Sequence, residues 1–473
     1  MNISVDVRAF SIVVLALLFT NGASAASKVQ VPPFERVQLP NGAVLLLTER
    51  HDVPLIAFEA VVRGGASSDP ERESGMASLL AGLLDKGAGQ RDALAFANAV
   101  ASVGGVISAS AGTESIVVSG SFLSKDQKLM VELLADVLQR PRLEAEQFAN
   151  VRARQIEFIR SAKDSELDSL TPVYGKALIF RNHPYAKPAM GSEAGLAAIE
   201  HEHLKEFYES QFGADRLIVS VAGDFKNAAM KQLLTQAFAG WRKAPAQLAQ
   251  ASAPARQTGR RVLLVDAPES VQSYFWAGNV GVARTFPQRA ALDVVNTLFG
   301  GRFTSMLNSE LRINSGLSYG ARSRFERLTQ PGTWQMSSYT RTETTVEAID
   351  LALNVLDRLH NEPIDPTMLA SGKAYVKGQF PLGLETADQW AGTLADLEFY
   401  RLDRSYIDRY ADALGSVTDT QAKKVIDDVF PSSQNVTLVV IGQASSIREG
   451  LRKFGPITEM KLNDAVFVPT SVE

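Results

Sequence analysis

The chain has 473 residues, a length that calls for two to four domains, each able to bury a core. Its 45% hydrophobic and 21% charged content is that of a soluble globular protein, and a net charge of -4 with scattered Lys and Arg argues against nucleic acid as a partner. The absence of cysteine excludes disulfides, thiol chemistry and a lipid-attachment site, so folding rests on core packing.

At the N-terminus Arg8 precedes the apolar run Phe10 to Phe19, and Ala23-Ser24-Ala25 offers a small-residue cleavage site before Ala26. Residues 1–25 therefore read as a secretory signal; the alternative is a weak amphipathic anchor, because Asp6 dilutes the charged region. The apolar run is too short to span a bilayer. The expectation is a soluble protein exported to a bacterial periplasm, with no membrane span once the signal is removed.

Val37 to Asn41 and Ala43 to Thr48 read as short strands around the turn Pro40-Asn41-Gly42, and Leu55 to Arg63 as a third, broken by Gly64-Gly65. Ser74 to Lys86 has a helical stripe of Met76, Leu79, Leu80, Leu83 and Leu84, and Asp92 to Val103 is a second helix. Val106 to Ser110 and Ser115 to Phe122 form an expected hairpin. Long helical patterns run from Asp126 to Leu138 and from Leu143 to Ala162. His203 to Phe212 as a helix and Arg216 to Gly223 as an apolar strand close the first half.

Between Trp241 and Gly259 the composition turns to Ala, Gln, Pro and Arg, which reads as a linker at 243–259. Beyond it the first half recurs. Val53 to Val62 has a counterpart in Val271 to Val280, the helix ending Leu83-Leu84 in one ending Leu298-Phe299, and the strand Leu217 to Gly223 in Val436 to Gly442. A nearly constant offset of about 219 residues implies a duplicated domain rather than a solenoid. The fold class expected is α+β: two related domains, 26–242 and 260–473, each a mainly antiparallel sheet covered on one face by helices.

The most informative stretch is Phe299 to Phe325. Arg302 to Ile313 reads as a helix with Phe303, Met306, Leu307 and Leu311 as its apolar stripe, stopped by Gly316. Leu317, Tyr319, Ala321, Ser323 and Phe325 then alternate as a strand does, with Tyr319 sharing a face with Leu317. Arg312 at a helix end and Tyr319 early in the next strand are placed to aim a guanidinium and a phenol at one carbonyl oxygen. The plain alternative is an Arg serving the helix dipole and a Tyr that packs.

The run Gly300-Gly301-Arg302-Phe303-Thr304-Ser305-Met306-Leu307-Asn308-Ser309-Glu310-Leu311-Arg312-Ile313-Asn314-Ser315-Gly316-Leu317-Ser318-Tyr319 resembles the C-terminal-domain signature of the pitrilysin/insulysin family of zinc peptidases. That family includes the mitochondrial processing peptidase and paired bacterial subunits, and is built from two related domains. The resemblance implies that Arg312 and Tyr319 bind substrate peptide and help stabilise the tetrahedral intermediate. It extends to Arg63-Gly64-Gly65-Ala66-Ser67, Gly75-Met76-Ala77, Lys86-Gly87, His183-Pro184-Tyr185, Gly191 and Leu204 to Tyr208.

Catalytic members carry H-x-x-E-H on the helix that begins at Gly75, because two His at i and i+4 share a helical face and hold zinc while the Glu acts as general base. Here Ser78, Ala81 and Gly82 stand where His, Glu and His belong. The family's downstream Glu ligand falls at Phe158, or at Glu157 if the register is one residue off. Among the five His only His201-Glu202-His203 forms a cluster, and i and i+2 diverge on a helix. His183, in its His-Pro-Tyr turn, reads as structural. No Walker loop or G-x-G-x-x-G is present.

The resemblance therefore implies a chain with no metal or cofactor of its own, supplying Arg312 and Tyr319 to a heterodimeric metallopeptidase. Zinc is expected in a homologous zinc-bearing partner subunit, and the substrate is a peptide whose edge strand for pairing is expected in the partner. The alternative is a scaffold or peptide-binding homologue with no role in proteolysis.

Overall fold

The computed structural model describes residues 29–248 and 250–469; the expected signal at 1–25 lies outside them. Six strands make the first sheet: β1 (Glu35–Gln38), β2 (Val44–Glu49), β3 (Leu55–Arg63), β4 (Val106–Ala111), β5 (Ser115–Leu123) and β6 (Leu217–Gly223). Their spatial order is β1-β2-β6-β3-β5-β4. The second sheet holds β7 (Arg261–Asp266), β8 (Gln272–Val280), β9 (Ala321–Phe325), β10 (Thr333–Arg341), β11 (Thr437–Gly442) and β12 (Ile457–Lys461), in the order β9-β10-β8-β11-β7-β12.

Read from opposite edges, five strands of the two sheets correspond one to one. In both, a central strand pairs in parallel with one strand and antiparallel with the strand that follows it in sequence: β6 with β2 and β3, β11 with β7 and β8. The sixth strands differ. β1 comes from the N-terminal side and pairs antiparallel with β2, whereas β12 comes from the C-terminal side and pairs parallel with β7. β6 and β11 are buried at every position, which is why both read as continuous apolar runs instead of alternating ones.

The main helices of the first half are α1 (Met76–Leu84), α2 (Ala93–Ala101), α3 (Gln127–Gln139), α4 (Ala145–Ser165), α5 (Leu167–Phe180), α6 (His201–Gln211) and α7 (Asn227–Phe238). α1 and α3 cover β4 and β5, and α7 covers β2. The main helices of the second half are α8 (Arg289–Asn296), α9 (Thr345–Asn361), α10 (Pro366–Gln379), α11 (Ala387–Phe399) and α12 (Asp419–Val429). In α9, Ala348, Ile349, Ala352, Leu353, Leu356 and Leu359 are all buried, the stripe that a 3.6-residue period turns toward a core.

Each half thus covers one face of its sheet with its own helices, and the opposite face takes one helix from the other half. α5 lies across β8 and β11; α11 lies across β3 and β6. Gly175 of α5 makes the first approach possible, because a Cβ there would sit 2.6 Å from the ring of the fully buried Trp276. Gly392 of α11 stands likewise over Glu59 of β3, where a Cβ would meet a carboxylate oxygen at 2.9 Å. This exchange ties the halves into one molecule. The described residues of 243–259 contain no helix or strand, and among all described residues no helix is long and apolar enough to cross a membrane.

Three expectations need correction. The first strand ends at Gln38, leaving Asn41 in the turn. The helix expected over Arg302 to Ile313 is a single α-turn, Met306–Asn308, continued by wide π turns over Ser309–Asn314. Tyr319 is not in a strand, since β9 begins at Ala321. Tyr319 is exposed while Leu317 packs on the core, so the two do not share an environment.

Candidate functional site

Leu307 and Leu311, fully buried, anchor the short helical segment on the second half's core. Ser305 caps it, accepting from the Asn308 backbone at 3.4 Å. Past Asn308 the turns widen, and the Ser315 N–H bonds the Glu310 carbonyl five residues back at 3.0 Å. Gly316 then takes φ +65 and reverses the chain, a conformation that costs glycine nothing. The result puts Arg312 and Tyr319 on one surface.

The Arg312 guanidinium carbon lies 4.1 Å from the Tyr319 ring centroid and 4.8 Å from that of Phe303. Tyr319 is 72% exposed and Phe303 59%, so the stack stands at the surface. Phe303, expected in the apolar stripe, is therefore not a core residue but one flank of the arginine. Such contacts hold a guanidinium by its faces, each worth about 0.5–1 kcal/mol at an exposed site, and leave the N–H groups at its rim unspent. Among the described residues Arg312 has no carboxylate or carbonyl partner, and the Tyr319 hydroxyl has no hydrogen bond either.

The loop carrying Tyr319 is held from beneath by hydroxyls and one amide. Asn308, 4% exposed, donates from Nδ2 to the Phe303 carbonyl at 2.6 Å and accepts the Ala321 N–H at 3.2 Å. One side chain thereby fixes the residue before the arginine's turn and the residue after the tyrosine's loop. Ser338 Oγ donates to the Gly320 carbonyl at 2.9 Å, and Thr340 Oγ1 to the Leu317 carbonyl at 2.6 Å. Asn308, Ser338 and Thr340 were not legible as site residues. The only signal for the first is an amide interrupting the apolar stripe, and for the other two small hydroxyls alternating along β10.

On α1, Ser78, Ala81 and Gly82 offer a hydroxyl, a methyl and a hydrogen, none of which is a zinc donor of the usual kinds. The space is filled as well. Gln155 of α4 donates to the Ser78 carbonyl at 3.0 Å, and a Cβ on Gly82 would meet Val151 at 2.9 Å. Glu157 turns to solvent and pairs with Arg160 at 2.6 Å, while Phe158 is 57% exposed, so neither register brings a carboxylate beside Ser78. Among the described residues no group of three His, Asp or Glu is placed to hold a metal ion. The residues present do not fit zinc. α1 itself is firmly held: Asp69, 2% exposed, accepts from the Gly75 and Ala77 backbones at 2.7 and 2.8 Å, and burial outweighs these donors, pushing its carboxyl up to about 7.

The histidine cluster dissolves in three dimensions. His201 bonds the Leu143 carbonyl at 2.5 Å and His203 bonds Glu73 at 2.5 Å. His183 receives the Tyr185 N–H at 3.1 Å and meets the Ser252 carbonyl at 3.0 Å.

Comparison with known proteins agrees with this geometry. The family model described as insulinase (peptidase family M16) matches residues 46–193, and that described as peptidase M16 inactive domain matches 198–375. An uncharacterised zinc protease of Mycobacterium leprae is 26% identical over 367 residues, covering 77% of this chain and 82% of the relative. A Helicobacter pylori protein named non-peptidase homolog YmxG is 22% identical over 345 residues, covering 72% and 78%. In structure the chain is similar to a peptidase M16 inactive domain from Pseudomonas fluorescens, with a TM-score of 0.80 and 23% identity over 87% of this chain and 98% of that one. A protease from Helicobacter pylori also has a TM-score of 0.80, at 21% identity, over 87% and 99%. These names divide between protease and non-peptidase, so the residues must decide.

Proposed function

Because the chain belongs to peptidase family M16 yet lacks that family's H-x-x-E-H residues, we propose that it is the zinc-less subunit of a heterodimeric metallopeptidase. The metal that activates water comes with a homologous partner subunit. This chain contributes Arg312 and Tyr319, which grip the scissile carbonyl of a bound peptide and stabilise the oxyanion as it forms. The secretory signal expected at residues 1–25 supports a periplasmic location for the assembly.

The observation that carries the reading is the pair of unspent donors. A half-buried guanidinium clamped by two aromatic rings and an exposed phenol beside it, both without hydrogen bonds of their own among the described residues, are preorganised for a guest oxygen. Removing one such donor from an oxyanion site costs about 3 kcal/mol of transition-state stabilisation. A scaffold homologue has no need of them, though the loss of the zinc residues fits it equally well.

Mixing decides between the two. The purified chain combined with an H-x-x-E-H-bearing relative from the same genome is expected to cleave an unfolded peptide that neither cleaves alone. Association with non-proteolytic partners only, and no gain of cleavage on mixing, would favour the scaffold.

A further inference from the structure

A cleft of about 780 Å³ opens on the first sheet, beside the start of α11 on the face that this helix only partly covers. Its walls include Val53, Leu55 and Val106, all exposed apolar side chains, with Ala57 between them. Glu59 of β3 lies in the floor beneath Gly392, and Glu385 and Asp388 stand where α11 begins. The one cation in the lining, Arg50, is spent on Asp52 at 2.8 Å. Glu59, Glu385 and Asp388 have no cationic partner among the described residues, so the cleft carries a surplus of negative charge.

Glu59 bears the cost of this arrangement. It makes no hydrogen bond, it is largely screened from water by α11, and its nearest charged neighbour is another carboxylate, Asp396, which Arg284 holds at 2.8 Å. Burial and that neighbour push its carboxyl up to about 7. A structural role would pair or replace such a group. The carboxylates are also not placed to close on one metal ion. Apolar walls ending on a carboxylate fit a long aliphatic stem that ends in a cation.

β4 forms the outer border of the cleft, and none of its backbone groups bonds outside the β5 ladder among the described residues. The corresponding edge of β9 is closed: Asn296 reaches the Ser323 carbonyl at 3.2 Å and Asn308 takes the Ala321 N–H. Of these two corresponding edges, the one beside this cleft is open to an extended chain.

We propose that the cleft is a subsite for a lysine or arginine side chain of the bound peptide, with Glu59 as its counter-charge. The inference rests on the reading of this chain as a peptide-binding subunit and adds the class of residue it selects.

The test uses the isolated mature chain and a fluorescein-labelled unstructured dodecapeptide with one central lysine, beside the same peptide with norleucine there. By fluorescence anisotropy the lysine peptide is expected to bind about tenfold more tightly, the scale of one charge-assisted contact. Glu59→Gln is expected to remove that preference while leaving norleucine-peptide binding intact and without lowering the melting temperature. Leu55→Ala, at the exposed wall, weakens both peptides. Equal binding of the two by the wild type, no binding of either, or a preference surviving in Glu59→Gln overturns the subsite. Because proteolysis is not read, this outcome is separable from that of Arg312 and Tyr319.

Discussion

Arg312 lies with its guanidinium 4.1 Å from the ring centroid of Tyr319, and neither has another polar partner among the described residues. The pair is held together by a stack, not by an ion pair, and this leaves its hydrogen-bonding capacity facing outward. The arrangement depends on the irregular turns of 309–320, so the first prediction concerns what fixes them.

Asn308→Ala leaves the Ala321 N–H and the Phe303 carbonyl without their shared amide. Stability is expected to fall by about 1–3 kcal/mol, measured by urea unfolding. Activity of the mixed complex is expected to fall further than that of Asn308→Asp, which keeps the acceptor for Ala321.

Gly175→Ala drives a methyl into Trp276. Overpacking here is expected to cost about 1–3 kcal/mol in spite of alanine's better helix propensity. Because α5 belongs to one half and Trp276 to the other, the loss is expected in one cooperative transition. Separate melting of the halves would contradict the exchange of helices.

Glu59 has its carboxyl raised from 4.5 to about 7 in the folded chain. Between those values the unfolded chain has released the proton and the folded chain retains it, so stability falls as pH rises through this window. Asp69, raised from 3.8 to about 7, acts with the same sign. Glu59→Gln is therefore expected to flatten part of the decline and to exceed the wild type by on the order of 2 kcal/mol at pH 8. Chemical unfolding at pH 4.5 and pH 8 reads this directly; a larger gain at pH 4.5 would refute it.

Rebuilding the motif by Ser78→His, Ala81→Glu and Gly82→His is not expected to give a stoichiometric zinc site. The side chain at 82 enters space held by Val151, and no third ligand stands on α4. Metal analysis after dialysis checks it. Adding Phe158→Glu is not expected to restore it, because that side chain is exposed and Val151 still holds the space at 82.

Much of this molecule could be read from its residues. β3 begins and ends at the residues expected, and the recurrence that linked Gly223 with Gly442 is realised as two central strands with matching neighbours. Local period and turn residues sufficed for these. α5 was not legible, because Pro172 and Gly175 interrupt its pattern, and Gly175 makes sense only against Trp276 of the other half's sheet. The turns at 309–314 carry a helical period that the wide geometry does not follow, and Phe303 reads as a core residue until its arginine is seen. Contacts made across halves leave no signature in local sequence.

The most direct test is turnover of an unfolded peptide by the complex with the zinc-bearing subunit, comparing wild type with Arg312→Ala and Tyr319→Phe. Each substitution is expected to lower kcat by about 10²–10³-fold, with zinc content, complex formation and melting temperature unchanged, since neither side chain belongs to the buried core. Wild-type kcat in both variants would contradict the account.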